Sequence, residues 1–292
     1  MIHEIQAKTL LAHVKQPDDW FGLRYNMNLY RGCQHRCIYC DSRSECYQIE
    51  NFDRDVLVKV NAIDLLRREL ARKRVRGTIG TGSMNDPYMP VEKHFNLTGR
   101  ALEVIAQFRF PVHVITKSNL VLKDLDTLRT IQADTLAMVS FTITTADDAL
   151  ARKLEPGAPP PSARYRALQT LSEQGIHTGV TLMPVLPFVE DNVENIRTVV
   201  EQAHAHGARY ILPAFGMTLR NRQRAYYYEQ LDVHFPGVKE RYQRKFGGSY
   251  SAAANQLPEL EAVFYELCEC YGIANAVPQY RPEPQAEQLT LF

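Results

Sequence analysis

Between residues 25 and 213 the chain alternates short β-rich runs with helical patterns, and no other feature limits its possible folds so tightly. The β-rich runs span 25–30, 76–81, 112–116, 135–143, 177–183 and 209–213. The helical patterns span 62–74, 97–108, 121–131, 146–153, 162–174 and 192–206. Strands that alternate with helices are joined by crossovers, so the pattern predicts parallel βα units, closed as a barrel or laid out as an open, doubly wound sheet. Asp191 and Asn192 are placed to cap the last helix, and Gly175 and Gly207 to stop two of them. In both architectures ligands gather at the C-terminal strand ends.

Outside that span the pattern changes. Residues 1–22 read as an N-terminal extension with a short helix. Residues 217–250 are polar, basic and rich in tyrosine, with Gly247 and Gly248 marking a loop, and a helix is expected over 257–271. The tail after Val277, with Pro278, Pro282 and Pro284, is expected to be extended. A length of 292 residues suits one large domain with an appendage or two small ones, and 45% hydrophobic residues suffice for a substantial core. A net charge of +1 gives no global argument for a nucleic-acid or membrane partner. No uninterrupted apolar stretch is long enough to predict a transmembrane helix. The charged start MIHEIQAKTLLAHVKQ lacks an apolar signal core, so a cytoplasmic location is expected.

Four of the six cysteines, Cys33, Cys37, Cys40 and Cys46, crowd into one stretch; Cys268 and Cys270 stand apart. A disulfide scaffold spreads its cysteines to staple distant loops, so this clustering points to metal binding. The string from Asn28 to Asp41, NLYRGCQHRCIYCD, has the spacing C-x3-C-x2-C and follows the first β-rich run. Three thiolates on a short loop can hold three irons of a [4Fe–4S] cubane and leave the fourth iron open. That site can chelate the amino and carboxylate groups of S-adenosylmethionine (SAM), whose reductive cleavage gives methionine and a 5′-deoxyadenosyl radical. The alternative is a zinc site completed by His35 or Cys46, in a protein without enzymatic activity.

This motif, with aromatic Tyr39 before the last cysteine, resembles the signature of the radical SAM superfamily. The resemblance extends over residues 23–215 to the spore photoproduct lyase-like branch, through GTGSMNDPYMPVE, VITKS, VSFTIT, LEPGAPPP and TLMPVLP in that order. It implies an α/β fold, a partial (β/α)6 barrel with SAM across its mouth, and an enzyme that abstracts hydrogen from an unidentified substrate. It divides the chain into an extension at 1–22, a barrel at 23–215 and a mainly helical C-terminal extension at 216–292 covering the barrel. A low-potential electron donor such as a flavodoxin or ferredoxin is implied as a partner.

The resemblance also suggests SAM contacts. Tyr39 can lie beside the adenine or simply pack next to the cluster. Asn85 and Asp86 can bind ribose hydroxyls or the SAM ammonium, although Asn-Asp-Pro is also a turn signal. Lys117 can neutralise the methionine carboxylate or remain a solvated strand-end lysine. Ser140 and Met183 can contact the cofactor or belong to the core. Glu155 begins a Pro-rich loop and either walls the cavity or pairs with Arg164. Cys46 is a candidate hydrogen donor to a substrate radical. The lyase has a cysteine donor just before its SAM-binding aspartate segment; here Thr81-Gly82-Ser83-Met84 has none, a departure that argues against spore photoproduct repair itself.

Cys268 and Cys270 fall in a helical run and point to different sides of it, so they cannot share a metal and are expected to be buried small hydrophobes. Arg67, Arg68, Arg72, Lys73, Arg74 and Arg76 form a run typical of a solvated helix face. Arg220, Arg222 and Arg224 precede Tyr226, Tyr227 and Tyr228; basic residues interleaved with aromatics can track phosphates and stack bases, leaving nucleic acid as an alternative substrate. Residues 217–250 are expected to cover the barrel mouth and supply substrate contacts.

Overall fold

The computed structural model describes residues 1–16, 20–52 and 54–281. Strands β1 (Ile2–Ile5), β2 (Leu11–His13), β3 (Tyr25–Met27), β4 (Tyr30–Arg31) and β5 (Val56–Lys59) come first. Then β6 (Ile79–Thr81), β7 (Val112–Thr116), β8 (Ala137–Thr142), β9 (His177–Leu182) and β10 (Tyr210–Pro213) alternate with helices. The helices are α1 (Ala62–Ala71), α2 (Glu92–Phe95), α3 (Leu97–Gln107), α4 (Leu125–Asp134), α5 (Asp148–Leu154), α6 (Pro161–Glu173) and α7 (Val193–Ala205). The C-terminal part holds β11 (Gly216–Thr218), α8 (Asn221–His234), α9 (Val238–Phe246), β12 (Ser251–Ala253) and α10 (Leu257–Tyr271).

The main sheet runs β10-β9-β8-β7-β6-β3-β2. Its strands β3 and β6 to β10 are parallel and stand in chain order, and β2 is antiparallel to β3 at the edge. Chain order means that every crossover turns the same way, so the sheet curls toward a barrel; β10 and β2 do not pair, and the barrel stays partial. Every residue of β8 is buried, as expected of a parallel strand covered on both faces. Gly175 and Gly207 follow the ends of α6 and α7, and Asn192 caps α7 by accepting from Asn195 N. Asp191, the other expected cap, instead accepts from Phe188 N at 2.6 Å and Asn255 N at 2.6 Å.

The first β-rich run is divided: Tyr25–Met27 joins the main sheet, while Tyr30–Arg31 turns away to pair with β5. This turn carries the cysteine loop out from the sheet. The N-terminal extension also departs from expectation. Its described residues contain strands and no helix, because partners distant in sequence take its backbone groups. Ile2–Ile5 pairs with β5, the Asn61 side chain bonds both Ala7 N and Ala7 O, and Glu69 accepts from Leu10 N and Leu11 N. The expected tail beyond Arg281, with Pro282 and Pro284, lies outside the described residues.

The tyrosine-rich segment is more ordered than its polarity suggests. Tyr227, Leu231 and Tyr242 of α8 and α9 form a core with Cys37, Ile38, Tyr39, Leu154 and Leu186. The segment therefore packs on the cysteine loop, on the C-terminal side of the strands. α10 packs against α7 on the outside, with Cys268 buried as expected and Cys270, against expectation, exposed. Among the described residues no helix is long and apolar enough to cross a membrane.

Candidate active site

The loop between β4 and Asp41 makes few hydrogen bonds of its own and is held by other segments. Ile38 N donates to Leu154 O and Gly157 N to His35 O, both at 2.9 Å; Arg43 Nε reaches Cys37 O at 3.2 Å and Gln223 Nε2 reaches Tyr39 O at 3.0 Å. A side chain at Gly157 would stand 2.2 Å from Gln34 O, so only glycine allows this approach. Cys33 and Cys37 are buried, Cys40 is partly so, and all three line one cavity of about 490 Å³. Burial, then Asp86 and Cys40, push the Cys33 thiol up to about 12; burial raises Cys37 and Cys40 as well. Three thiols so placed are stable as neutral groups or as thiolates bound to metal.

The opposite wall is built at the ends of β6 and β7. Burial alone would raise the Asp86 carboxyl, but His35 and several hydrogen bonds bring it down to about 2. Its oxygens accept from Tyr88 N at 2.9 Å, Thr116 Oγ1 at 2.7 Å and Lys117 N at 2.6 Å, with His35 Nδ1 at 3.3 Å. Asp86 is thus largely occupied by the turn and by β7. Asn85 differs: among the described residues its Nδ2 bonds only Asp86 O at 3.2 Å, and its buried Oδ1 has no partner. Lys117 Nζ lies 3.9 Å from Glu155 Oε1 and 5.8 Å from the Tyr39 ring centre. Glu155 also accepts from Tyr39 OH and pairs with Arg164. Met183 stands on the cavity wall near Thr142 and Thr181.

The cavity thus brings together Cys33, Cys37, Cys40, Tyr39, Asn85, Asp86, Lys117 and Met183. Two candidates fall outside it. Ser140 lies below the cavity, with its Oγ 2.7 Å from His113 Nε2 and 2.8 Å from Tyr210 OH. His113 is held to about 4 by burial and is neutral; its Nδ1 donates to Phe21 O, so Nε2 accepts from Ser140. Cys46 lies in a separate open pocket, where Arg220 Nη1 is 3.3 Å from its Sγ. That position removes the structural support for Cys46 as a hydrogen donor into the cavity.

The arginines read as phosphate contacts are turned inward. Arg220 pairs with Asp41 at 2.9 Å, Arg222 donates to Arg43 O and Ile49 O, and Arg224 donates to Leu219 O and Gly247 O. They fasten α8 to the cysteine loop and to the β12 hairpin. Phe21, Leu23, Met84, Ile115 and Met217 form an apolar part of the cavity that the sequence did not reveal. They come from four segments distant in sequence, and no local pattern unites them.

Residues 27–203 match the family model of the radical SAM superfamily. The chain belongs to this superfamily. It is 30% identical over 250 residues to an uncharacterized protein of Mycobacterium tuberculosis, covering 84% of this chain and 73% of that one. It is 34% identical over 192 residues to an uncharacterized protein of Methanocaldococcus jannaschii, covering 65% and 70%. A spore photoproduct lyase mutant with a dinucleoside spore photoproduct shares the fold, with a TM-score of 0.68 at 14% identity over 94% of this chain and 80% of that one. As a radical SAM enzyme the chain uses a [4Fe–4S] cluster and SAM. The donor set fits them: three clustered cysteines for three irons, and an unpartnered amide oxygen and an ammonium group across the cavity. Among the described residues no three His, Cys, Asp or Glu side chains converge to hold a single metal ion. A cubane does not require that convergence, because each thiolate meets its own iron.

Proposed function

We propose that Cys33, Cys37 and Cys40 ligate the cluster and that SAM lies across the cavity against Tyr39, Asn85, Lys117 and Met183. The observation that carries this reading is the unpartnered Asn85 Oδ1 and the Lys117 ammonium facing the three cysteines in one cavity. The bound cofactors supply one-electron cleavage of SAM and hydrogen abstraction from a substrate. The chain's own residues orient and shield. Asn85 Oδ1 accepts from the SAM ammonium or a ribose hydroxyl, Lys117 balances the methionine carboxylate, and Asp86 fixes the backbone that presents both. Phe21, Leu23, Met84, Ile115 and Met217 exclude water and take an uncharged part of the substrate.

A low-potential carrier such as a flavodoxin or ferredoxin supplies the electron, in the reducing setting of the cytoplasm. Nucleic acid as substrate is the weaker reading. The arginines that suggested it hold the chain's own carbonyls and Asp41, and Lys117 is the only Lys or Arg among the described residues lining the cavity. Anaerobically reconstituted protein with a chemical reductant should release 5′-deoxyadenosine from SAM. A variant with Cys33, Cys37 and Cys40 all changed to Ala should release none; cleavage by that variant at the wild-type rate would refute the reading.

A further inference from the structure

The segment Leu154–Gly157 contacts the cysteine loop and Lys117 yet carries none of the groups proposed to hold the cofactors. Its backbone is joined to the cysteine loop on both sides of Arg36, through Leu154 O to Ile38 N and through Gly157 N to His35 O. Its one charged side chain, Glu155, is buried to 2% exposure. The carboxylate gathers groups from three separate elements: Tyr39 OH beside Cys40, Arg164 from α6, and Lys117 Nζ from the end of β7.

Charge explains why this matters. Burial alone would raise the Glu155 carboxyl, but Arg164 and then Lys117 hold it below the ordinary value, so it is ionised. Arg164 is fixed independently, with Nε on Pro159 O and Nη1 on Thr142 O, both at 2.8 Å. One carboxylate thus faces two cations. Arg164 is buried and held by these bonds, whereas the Lys117 side chain is 17% exposed and lines the cavity. A flexible ammonium next to a rigid guanidinium would be driven away from it unless an anion stood between them.

We propose that Glu155 is a positioning residue: by holding Lys117 and Tyr39 against the fixed Arg164, it sets the Lys117 ammonium where a ligand carboxylate in the cavity meets it. This rests on the placement of SAM proposed above. Side chains one shell out from a ligand commonly decide the orientation of those that touch it.

The test is a double-mutant cycle read by SAM titration of reconstituted protein, with iron content and melting temperature measured for each variant. Lys117→Ala should weaken SAM binding about ten- to a hundred-fold. Glu155→Gln should weaken it about ten-fold, and the double variant should bind no more weakly than Lys117→Ala alone, because Glu155 acts through that lysine. Glu155→Gln leaves Arg164 without its counter-charge, so the cycle is repeated with Arg164→Gln present throughout. Multiplying losses in the double variant, or unchanged SAM affinity in Glu155→Gln, overturns the proposal. Loss of iron from Glu155→Gln in both backgrounds overturns it too, since the role would then be structural alone. Unchanged affinity in Lys117→Ala is a different failure, because it removes the SAM placement itself.

Discussion

Two layers of polar side chains line the concave side of the sheet, and they differ in whether their hydrogen bonds are complete. In the lower layer Tyr210 donates to Ser140, Ser140 to His113, and His113 to Phe21 O. The Tyr210 ring lies over Gly179, where a side chain would stand 2.3 Å from it. Trp20, Phe21, Val277 and Tyr280 pack around this layer. In the upper layer Thr181 bonds Thr142 at 2.8 Å, but Asn85 Oδ1 has no partner and the Lys117 ammonium borders open space. Both layers are buried and both sit on strands or strand ends. A buried polar group left unpaired is costly, so the incomplete layer is the one suited to a ligand.

The two layers should respond to mutation in different observables. Arg164→Met, which strands the carboxylate joining the upper layer to α6, should have the largest effect on folding. Breaking a buried pair by removing one partner costs about 3–5 kcal/mol, measured by denaturant unfolding. Ser140→Ala should cost about 1–3 kcal/mol in the same assay, leaving His113 and Tyr210 short of a partner, with SAM affinity unchanged. If Ser140→Ala weakens SAM binding instead, the lower layer is not closed. Asn85→Ala should do the opposite, lowering SAM affinity about ten-fold or more with melting temperature near that of the wild type.

A smaller effect concerns pH. Glu190 is buried beside Thr144, and burial raises its carboxyl to about 8 from an ordinary 4.5. Its protonated form is therefore favoured in the folded chain. The stability it contributes is full below pH 4.5 and is lost as pH rises toward and through about 8. Glu190→Gln should flatten that part of the stability profile; an unchanged slope would contradict it. The smallest effect is expected from Cys270→Ala, which alters an exposed thiol on α10, the helix packed against α7, and should leave iron content unchanged.

Much of the barrel was legible because parallel strands buried on both faces write themselves as short apolar runs, such as Val112–Thr116 and Ala137–Thr142. The cysteine loop was legible because its three cysteines lie close together in sequence. The N-terminal strands were not, since Ile2–Ile5 gains its partner 54 positions later, in Val56–Lys59. Tyr227 entered the nucleic-acid alternative because its core neighbours, Cys37 and Leu186, lie in other parts of the chain. Ser140 illustrates the same limit: whether a strand hydroxyl meets a cofactor or a histidine depends on residues 27 and 70 positions away.

The central claim, that a cluster on three cysteines shares its cavity with SAM, is tested most directly by electron paramagnetic resonance of the reduced, reconstituted protein during a SAM titration. One [4Fe–4S] cluster per chain is expected, with a spectrum that changes as SAM binds and a much weaker response to the same SAM concentrations in Asn85→Ala. A fully loaded cluster whose spectrum ignores saturating SAM, with no 5′-deoxyadenosine formed, would contradict it.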